Sequence, residues 1–343
     1  MFTDKNLVVT RLFLDDRKTR TQVEDFCASN GLKMEEADYY CGVFDGDKML
    51  AGGGFSENVI KYVAVDKSAR SLNLTNVIVS HLREELIFRG ETNIFVYTKI
   101  DNKEIFENLA FYTVGVSEDA VLLESHPRGI KNFCKKLQEF KRDGKISAIV
   151  MNANPFTLGH RYLVQKARQS SDHVFVFVVQ TDKSEVRFRH RKALVEQGLS
   201  DFDDVTILDG GDYIVSQATF PNYFLKERGL VDKNCAQIDA DVFGRFIAPA
   251  LNVTQRFVGH EPTDVVTADY NVQLKAVLKK YAVELVEVDR LKYDDETISA
   301  STVRRKIKEG DFGAIQKIVP KSTLDFLKSE QSNYLRQKNQ NDC

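Results

Sequence analysis

The sequence predicts an α/β protein in two parts, an α+β half followed by a half built on a mostly parallel sheet. Three observations carry that prediction. The chain has 343 residues, 43% of them hydrophobic and 29% charged, which exceeds the ~100–200 residues of one ordinary domain. A polar, basic break at Ser125–Lys145 carries Pro127, Gly129 and Gly144. Beyond it, apolar runs alternate with helical stripes, the rhythm of parallel strands joined by helices.

In the first half, strands are expected at Tyr39–Phe44, Met49–Phe55, Ile60–Val65 and Ile94–Thr98, with helices over Arg17–Asn30 and Leu74–Phe88. The triplet Gly52-Gly53-Gly54 lacks the Lys-Ser/Thr of a phosphate loop, so it reads as a strand bulge or a close backbone contact. Within the break, Ile130, Phe133, Leu137 and Phe140 are spaced as one apolar stripe, which predicts a short helix. The second half opens with a strand at Ile146–Met151, a helix at His160–Gln169 and a strand at His173–Gln180. Further strands are expected at Val205–Leu208, Arg256–Val258 and Glu284–Val288. The domains implied are 1–125 and 145–343, with a linker over 126–144.

Composition removes several function classes. Lys+Arg 48 against Asp+Glu 50 leaves a net charge of -2, which offers no general attraction to nucleic acid or an anionic membrane. Apolar runs such as Val174–Val179 fall far short of the ~20 residues of a membrane span. The N-terminus shows no signal-peptide pattern. Five scattered cysteines form no CxxC pair, which argues against a disulfide framework or a zinc site and for a reducing cytoplasm. The six histidines lack metal-ligand spacing, so no metal site built from protein ligands is expected.

Parallel sheets bind ligands where strands end and helices begin. The first such joint reads NANPFTLGHRYLVQKA, with Leu163, Val164 and Ala167 on the buried side of the helix. Free N–H groups and the positive helix end favour phosphate there. Thr157 and His160 lie three apart and can share one face, while Gly159 lets a nucleotide approach the backbone. The last joint reads ISASTVRRKIKEG. Ser299 and Ser301 suit an N-cap, Val303 and Ile307 face inward, and Arg304 projects beside Ser301. Hydroxyls, helix N–H groups and a guanidinium together make a polyphosphate clamp.

The pair of motifs, Thr157-Leu158-Gly159-His160 and Ile298-Ser299-Ala300-Ser301-Thr302-Val303-Arg304, resembles the signatures of the nucleotidyltransferase superfamily. The strings MNANPFTLGHRYLV, SQATFPNYFLK, RFVGHEPTDVVTADYN and ISASTVR are more specific. They resemble the C-terminal domain of the citrate lyase ligase family.

That resemblance implies a Rossmann-like nucleotidyltransferase domain and a defined reaction. ATP and acetate would give acetyl-adenylate and pyrophosphate. The thiol prosthetic group on the acyl carrier subunit of citrate lyase would then take the acetyl group, releasing AMP. Thr157 and His160 would hold the α/β-phosphates, and Ser299, Ser301 and Arg304 the β/γ-phosphates, with Mg2+ bridging the phosphates. Asn154, Phe156, Gly159, Arg191, Gly259 and Glu261 would line the ATP site, although Arg191 suits a helix anchor equally well. Phe220, Tyr223 and Phe224 are candidates for an acyl pocket or for core. The alternatives are a generic nucleotidyltransferase acting on a phosphorylated metabolite and a non-catalytic nucleotide-binding subunit.

The first half resembles the GNAT acetyltransferases in its β–β–α order and in Phe106-Glu107-Asn108-Leu109-Ala110-Phe111. It departs at the pyrophosphate loop. Ser71 and Asn73 stand where glycines are expected, and their side chains obstruct the close approach that glycine allows. Weak acetyl-coenzyme A binding is the expectation, with the half positioning the coenzyme-A-like arm of the carrier or serving as structure.

Overall fold

The computed structural model describes residues 8–180, 184–216, 233–260 and 265–336. Packing divides the chain into two units, Met1–Gly129 and Ile130–Cys343.

In the first unit the strands are β1 (Val9–Leu12), β2 (Tyr39–Asp45), β3 (Lys48–Ser56), β4 (Val59–Val65), β5 (Phe95–Lys99), β6 (Tyr112–Val116) and β7 (Ala120–Glu124). They form one sheet in the order β1-β2-β3-β4-β5-β7-β6. Every neighbouring pair is antiparallel except β4 with β5. That parallel pair meets only at Val59↔Phe95 and Ile60↔Val96, and β4 continues to Val65 beyond it. The helix Leu74–Phe88 buries Leu74, Ile78, Val79, Leu82 and Leu86, the stripe its periodicity dictates.

The glycine triplet has a steric reason. A Cβ on Gly52 would lie 2.7 Å from the Tyr40 hydroxyl, and one on Gly53 2.8 Å from Ile78 Cγ2. The β3–β4 register also shifts between Gly52 and Gly54. The segment holding Ser71 folds as a 3₁₀ helix, Lys67–Leu72, capped by Asp66. Asn73 follows at φ 53°, a left-handed conformation that asparagine tolerates better than most residues.

The second unit contains β8 (Ile146–Met151), β9 (His173–Val178), β10 (Val205–Asp209), β11 (Val253–Gly259) and β12 (Glu284–Val288). They line up as β10-β9-β8-β11-β12, all parallel. Helices cover both faces, so β9 is apolar on each side and its residues Val174 to Val178 are all buried. On one face Val164, Leu194 and Val195 pack with Ile149, Val174 and Val176. On the other, the Phe177 ring meets Phe243 edge-on at 6.4 Å.

The chain steps outward from β8 to β10, then returns to the opposite side of β8. Strand order therefore reverses between β8 and β11, the position where doubly wound sheets bind ligands beyond their carboxyl ends. The stretch 126–144 contains the helix Gly129–Leu137, which buries Ile130, Cys134 and Leu137. Phe140 ends the following 3₁₀ turn, 38% exposed. It leaves the predicted stripe because the α-helical period stops at Leu137.

Two-residue strands at Lys292–Tyr293 and Glu296–Thr297 form a small hairpin before the last joint. Among the described residues no helix is long and apolar enough to cross a membrane.

Candidate active site

β8 ends at Met151, and the chain turns through residues 152–156 into the helix Leu158–Arg168. Thr157 is the N-cap, so the helix begins two residues before the expected His160. The Thr157 N–H donates to His160 Nδ1 at 3.0 Å, and the Thr157 hydroxyl lies 2.9 Å from the same nitrogen. The His160 N–H donates back to Thr157 Oγ1 at 3.3 Å.

This reciprocal cap fixes the tautomer. A nitrogen that accepts from a backbone N–H carries no proton, which leaves Nε2–H as the donor of the ring. Burial, reinforced by the Arg290 guanidinium, pulls the His160 pKa down to about 4. The imidazole is therefore neutral near pH 7. Phe156, fully buried, stacks on the ring at 5.7 Å and 18°.

Of the first N–H groups in the helix, Leu158 donates to the Ile318 carbonyl at 3.0 Å and His160 to Thr157. The Gly159 N–H meets no acceptor among the described residues. A Cβ on Gly159 would come 3.0 Å from the Ile298 carbonyl. The close backbone approach expected of a nucleotide at Gly159 is made there by the second motif itself.

The second motif caps its helix as its sequence requires. Ser299 Oγ accepts from the Thr302 N–H at 3.0 Å, and the helix runs Ala300–Glu309 with Val303 and Ile307 buried. Ser299 Oγ lies 2.8 Å from the exposed Ser301 Oγ. Arg304 turns back toward the first motif, donating from Nη1 to the Asn154 carbonyl at 2.7 Å. Its Nε lies 3.3 Å from Glu185 Oε1. The Asn154 side chain accepts from the Val186 N–H at 2.8 Å. Asn154 thus ties two loops together, and Arg304 joins them to the last helix.

Arg191 takes the helix-anchor place that its sequence position also allowed. Its side chain is 0% exposed and donates to the carbonyls of Val186, Asn152 and Val179 at 2.7–2.9 Å. The guanidinium satisfies backbone left bare where β8 and β9 end. These are the contacts of an anchor.

Gly259 closes β11, where its carbonyl accepts from Asn271 Nδ2 at 3.2 Å. Glu261, Phe220, Tyr223 and Phe224 lie outside the described residues. Sequence reasoning missed Arg290. It stands two residues past β12, half-buried, with Nε 3.5 Å from where a Cβ on Gly259 would sit. Its charge is also felt at His160. The available signal was a basic residue directly after the strand-ending run VEVD.

No group of three or more potential His, Cys, Asp or Glu metal ligands occurs among the described residues. Among the described residues near the site, Glu185 pairs with Arg304 and Asp289 lies 3.3 Å from His260 Nδ1. A magnesium ion fits this donor set only as a passenger on phosphate oxygens and water.

A five-stranded doubly wound sheet, with both nucleotidyltransferase motifs joined at its switch point, defines a nucleotidyltransferase-type unit. The family model described as citrate lyase ligase C-terminal domain matches residues 146–327. The chain is 36% identical to [citrate [pro-3S]-lyase] ligase of Escherichia coli over 94% of each chain. To the ligase of the same name from Haemophilus influenzae it is 35% identical, over 91% of this chain and 96% of that one. The chain belongs to the citrate lyase ligase family.

Two of the solved structures that it resembles are more distant. A pantoate-beta-alanine ligase from Francisella tularensis is 13% identical, covering 60% of this chain and 82% of its own, with a TM-score of 0.37. An acyl-CoA N-acyltransferase from Pseudomonas aeruginosa is 13% identical, covering 35% of this chain and 100% of its own, with a TM-score of 0.31.

Proposed function

We propose that the protein activates acetate with ATP and passes the acetyl group to the thiol prosthetic group on the acyl carrier subunit of citrate lyase. An acetate oxygen attacks the α-phosphorus, the bond from that phosphorus to the α,β-bridging oxygen breaks, and pyrophosphate leaves with its electron pair. The carrier thiolate then attacks the carbonyl carbon of acetyl-adenylate, and AMP departs with the electron pair of the broken C–O bond. Substrate, thiol and product balance without a redox partner.

His160, neutral and donating from Nε2, stabilises charge growing on the α/β-phosphate oxygens. Thr157 serves the same end of the triphosphate by holding that ring in place through its N–H and hydroxyl. Ser299, Ser301 and Arg304 take the β/γ end, where a guanidinium and hydroxyls suit phosphate oxygens. Arg290 adds positive charge from the end of β12. Asn154, Phe156, Gly159 and Gly259 shape the ATP crevice, with Glu261 beside Gly259 in sequence. Magnesium carried by the triphosphate supplies further charge neutralisation.

The observation that carries this reading is the junction of the two motifs, Arg304 on the Asn154 carbonyl and Gly159 against Ile298, in a chain of this family. The test is acetate-dependent exchange of labelled pyrophosphate into ATP, followed by mass analysis of the carrier thiol. Exchange and an acetylated carrier are expected. Exchange that proceeds equally without acetate would overturn acetate as the substrate.

A further inference from the structure

The proposed acceptor is a protein, so the chain needs a surface that receives it. The stretch 126–145 holds seven lysines and arginines against Glu139 and Asp143, in a chain whose overall charge is -2. Positive charge is therefore concentrated here, against the balance of the rest.

The fold turns this composition into a surface. The helix Gly129–Leu137 buries Ile130, Cys134 and Leu137, which leaves Lys131 and Lys135, four apart, on one exposed face. That face borders an open groove of about 290 Å³, shared with Arg245, Phe246 and Ala250. The groove has an apolar floor, where Cys134 Sγ approaches the Phe246 carbonyl at 3.5 Å. A π-helical turn, Phe243–Ile247, presents Arg245 and Phe246 to it.

Two features point to an occupant. First, Arg245 pairs with Asp241 at 3.1 Å, but neither Lys131 nor Lys135 makes an ion pair among the described residues. No acidic partner for them occurs among the described residues of the unit. Second, the helix reaches the carboxyl end of the sheet. Phe133 packs on Tyr213 with ring centroids 5.2 Å apart, and Tyr213 lies just past the end of β10. That end is two strand spacings from β8, roughly 10 Å, and opens in the same direction as the crevice.

From these observations we infer that the groove lined by Lys131, Lys135 and Arg245 docks an acidic face of the carrier subunit. An apolar floor with a basic rim suits an amphipathic, acidic segment of the partner. The charged rim accelerates encounter and fixes orientation, and the thiol arm then crosses the sheet end to the adenylate. The inference rests on the proposed acyl transfer.

The test reverses the charge in the full chain with the double substitution Lys131→Glu and Lys135→Glu, both at exposed positions. Calorimetric titration with the thiol-form carrier subunit reads docking directly, without turnover. Its Kd is expected to weaken at least tenfold, and added salt is expected to weaken the wild type far more than the variant. Acetate-dependent pyrophosphate exchange is expected to be unchanged, since it does not involve the carrier. The neutral pair Lys131→Gln and Lys135→Gln is expected to fall between. An unchanged Kd overturns the inference. So does a wild type that self-associates through this face, read as a dimer by sedimentation that the charge reversal makes monomeric. Loss of exchange in the wild type itself would strike the proposed activity and leave the binding result to judge the groove.

Discussion

The Arg304 guanidinium donates to the Asn154 carbonyl at 2.7 Å across a sequence separation of 150 residues. One hydrogen bond thereby couples the turn after the first strand of the second unit to the helix after its last. If Arg304 also holds phosphate, it is both a hinge pin and a ligand. Arg304→Lys keeps the charge but loses the fork of donors. The expected result is a fall in kcat of acetate-dependent exchange by about 10²–10³-fold, the scale of losing one aimed donor, with the circular dichroism spectrum retained. Near-normal exchange would remove Arg304 from the site.

His160 is expected to stay neutral well into acid. Its value near 4 lies below the ~6.5 of an unperturbed imidazole. The folded protein then binds fewer protons than the unfolded chain between those values. His160 has no effect on stability above about pH 6.5 and lowers it progressively as pH falls toward 4. Nitrogen-resolved NMR of the ring, showing an Nε2–H tautomer at pH 7 and no protonation by pH 5.5, checks both statements.

Arg290 supplies part of that depression. Arg290→Ala is expected to move the His160 titration upward and to raise the KM for ATP. An unmoved His160 resonance would mean that the two groups do not interact.

Arg191→Met tests the difference between an anchor and a ligand. Three buried carbonyls lose their donor, each costing about 1–3 kcal/mol. The variant is expected to unfold at a clearly lower temperature. A variant that kept its Tm but lost ATP affinity would return Arg191 to the binding site.

Gly159→Ala probes the contact between the motifs. A methyl group there meets the Ile298 carbonyl at 3.0 Å, and displacing backbone costs about 1–3 kcal/mol. A lower Tm together with weaker exchange is expected, since the same shift separates Arg304 from Asn154. Thermal unfolding equal to the wild type would show that the loop yields freely.

Local pattern by itself determined much of this protein. The apolar runs Ile146–Met151 and Glu284–Val288 are strands with the expected bounds, and Leu74–Phe88 is the expected helix. Thr157 and Ser299 cap helices because capping needs only residues three apart. Edge strands such as Val9–Leu12 and Tyr112–Val116 carry too short a pattern to stand out before their neighbours pair with them. Tertiary structure decided the rest. It turned Arg191 inward, brought Arg290 to Gly259 and His160, and gave Gly159 its reason in Ile298. Each of those outcomes depends on backbone groups distant in sequence, and a short motif carries no record of which carbonyl or charge the folded sheet will bring beside it.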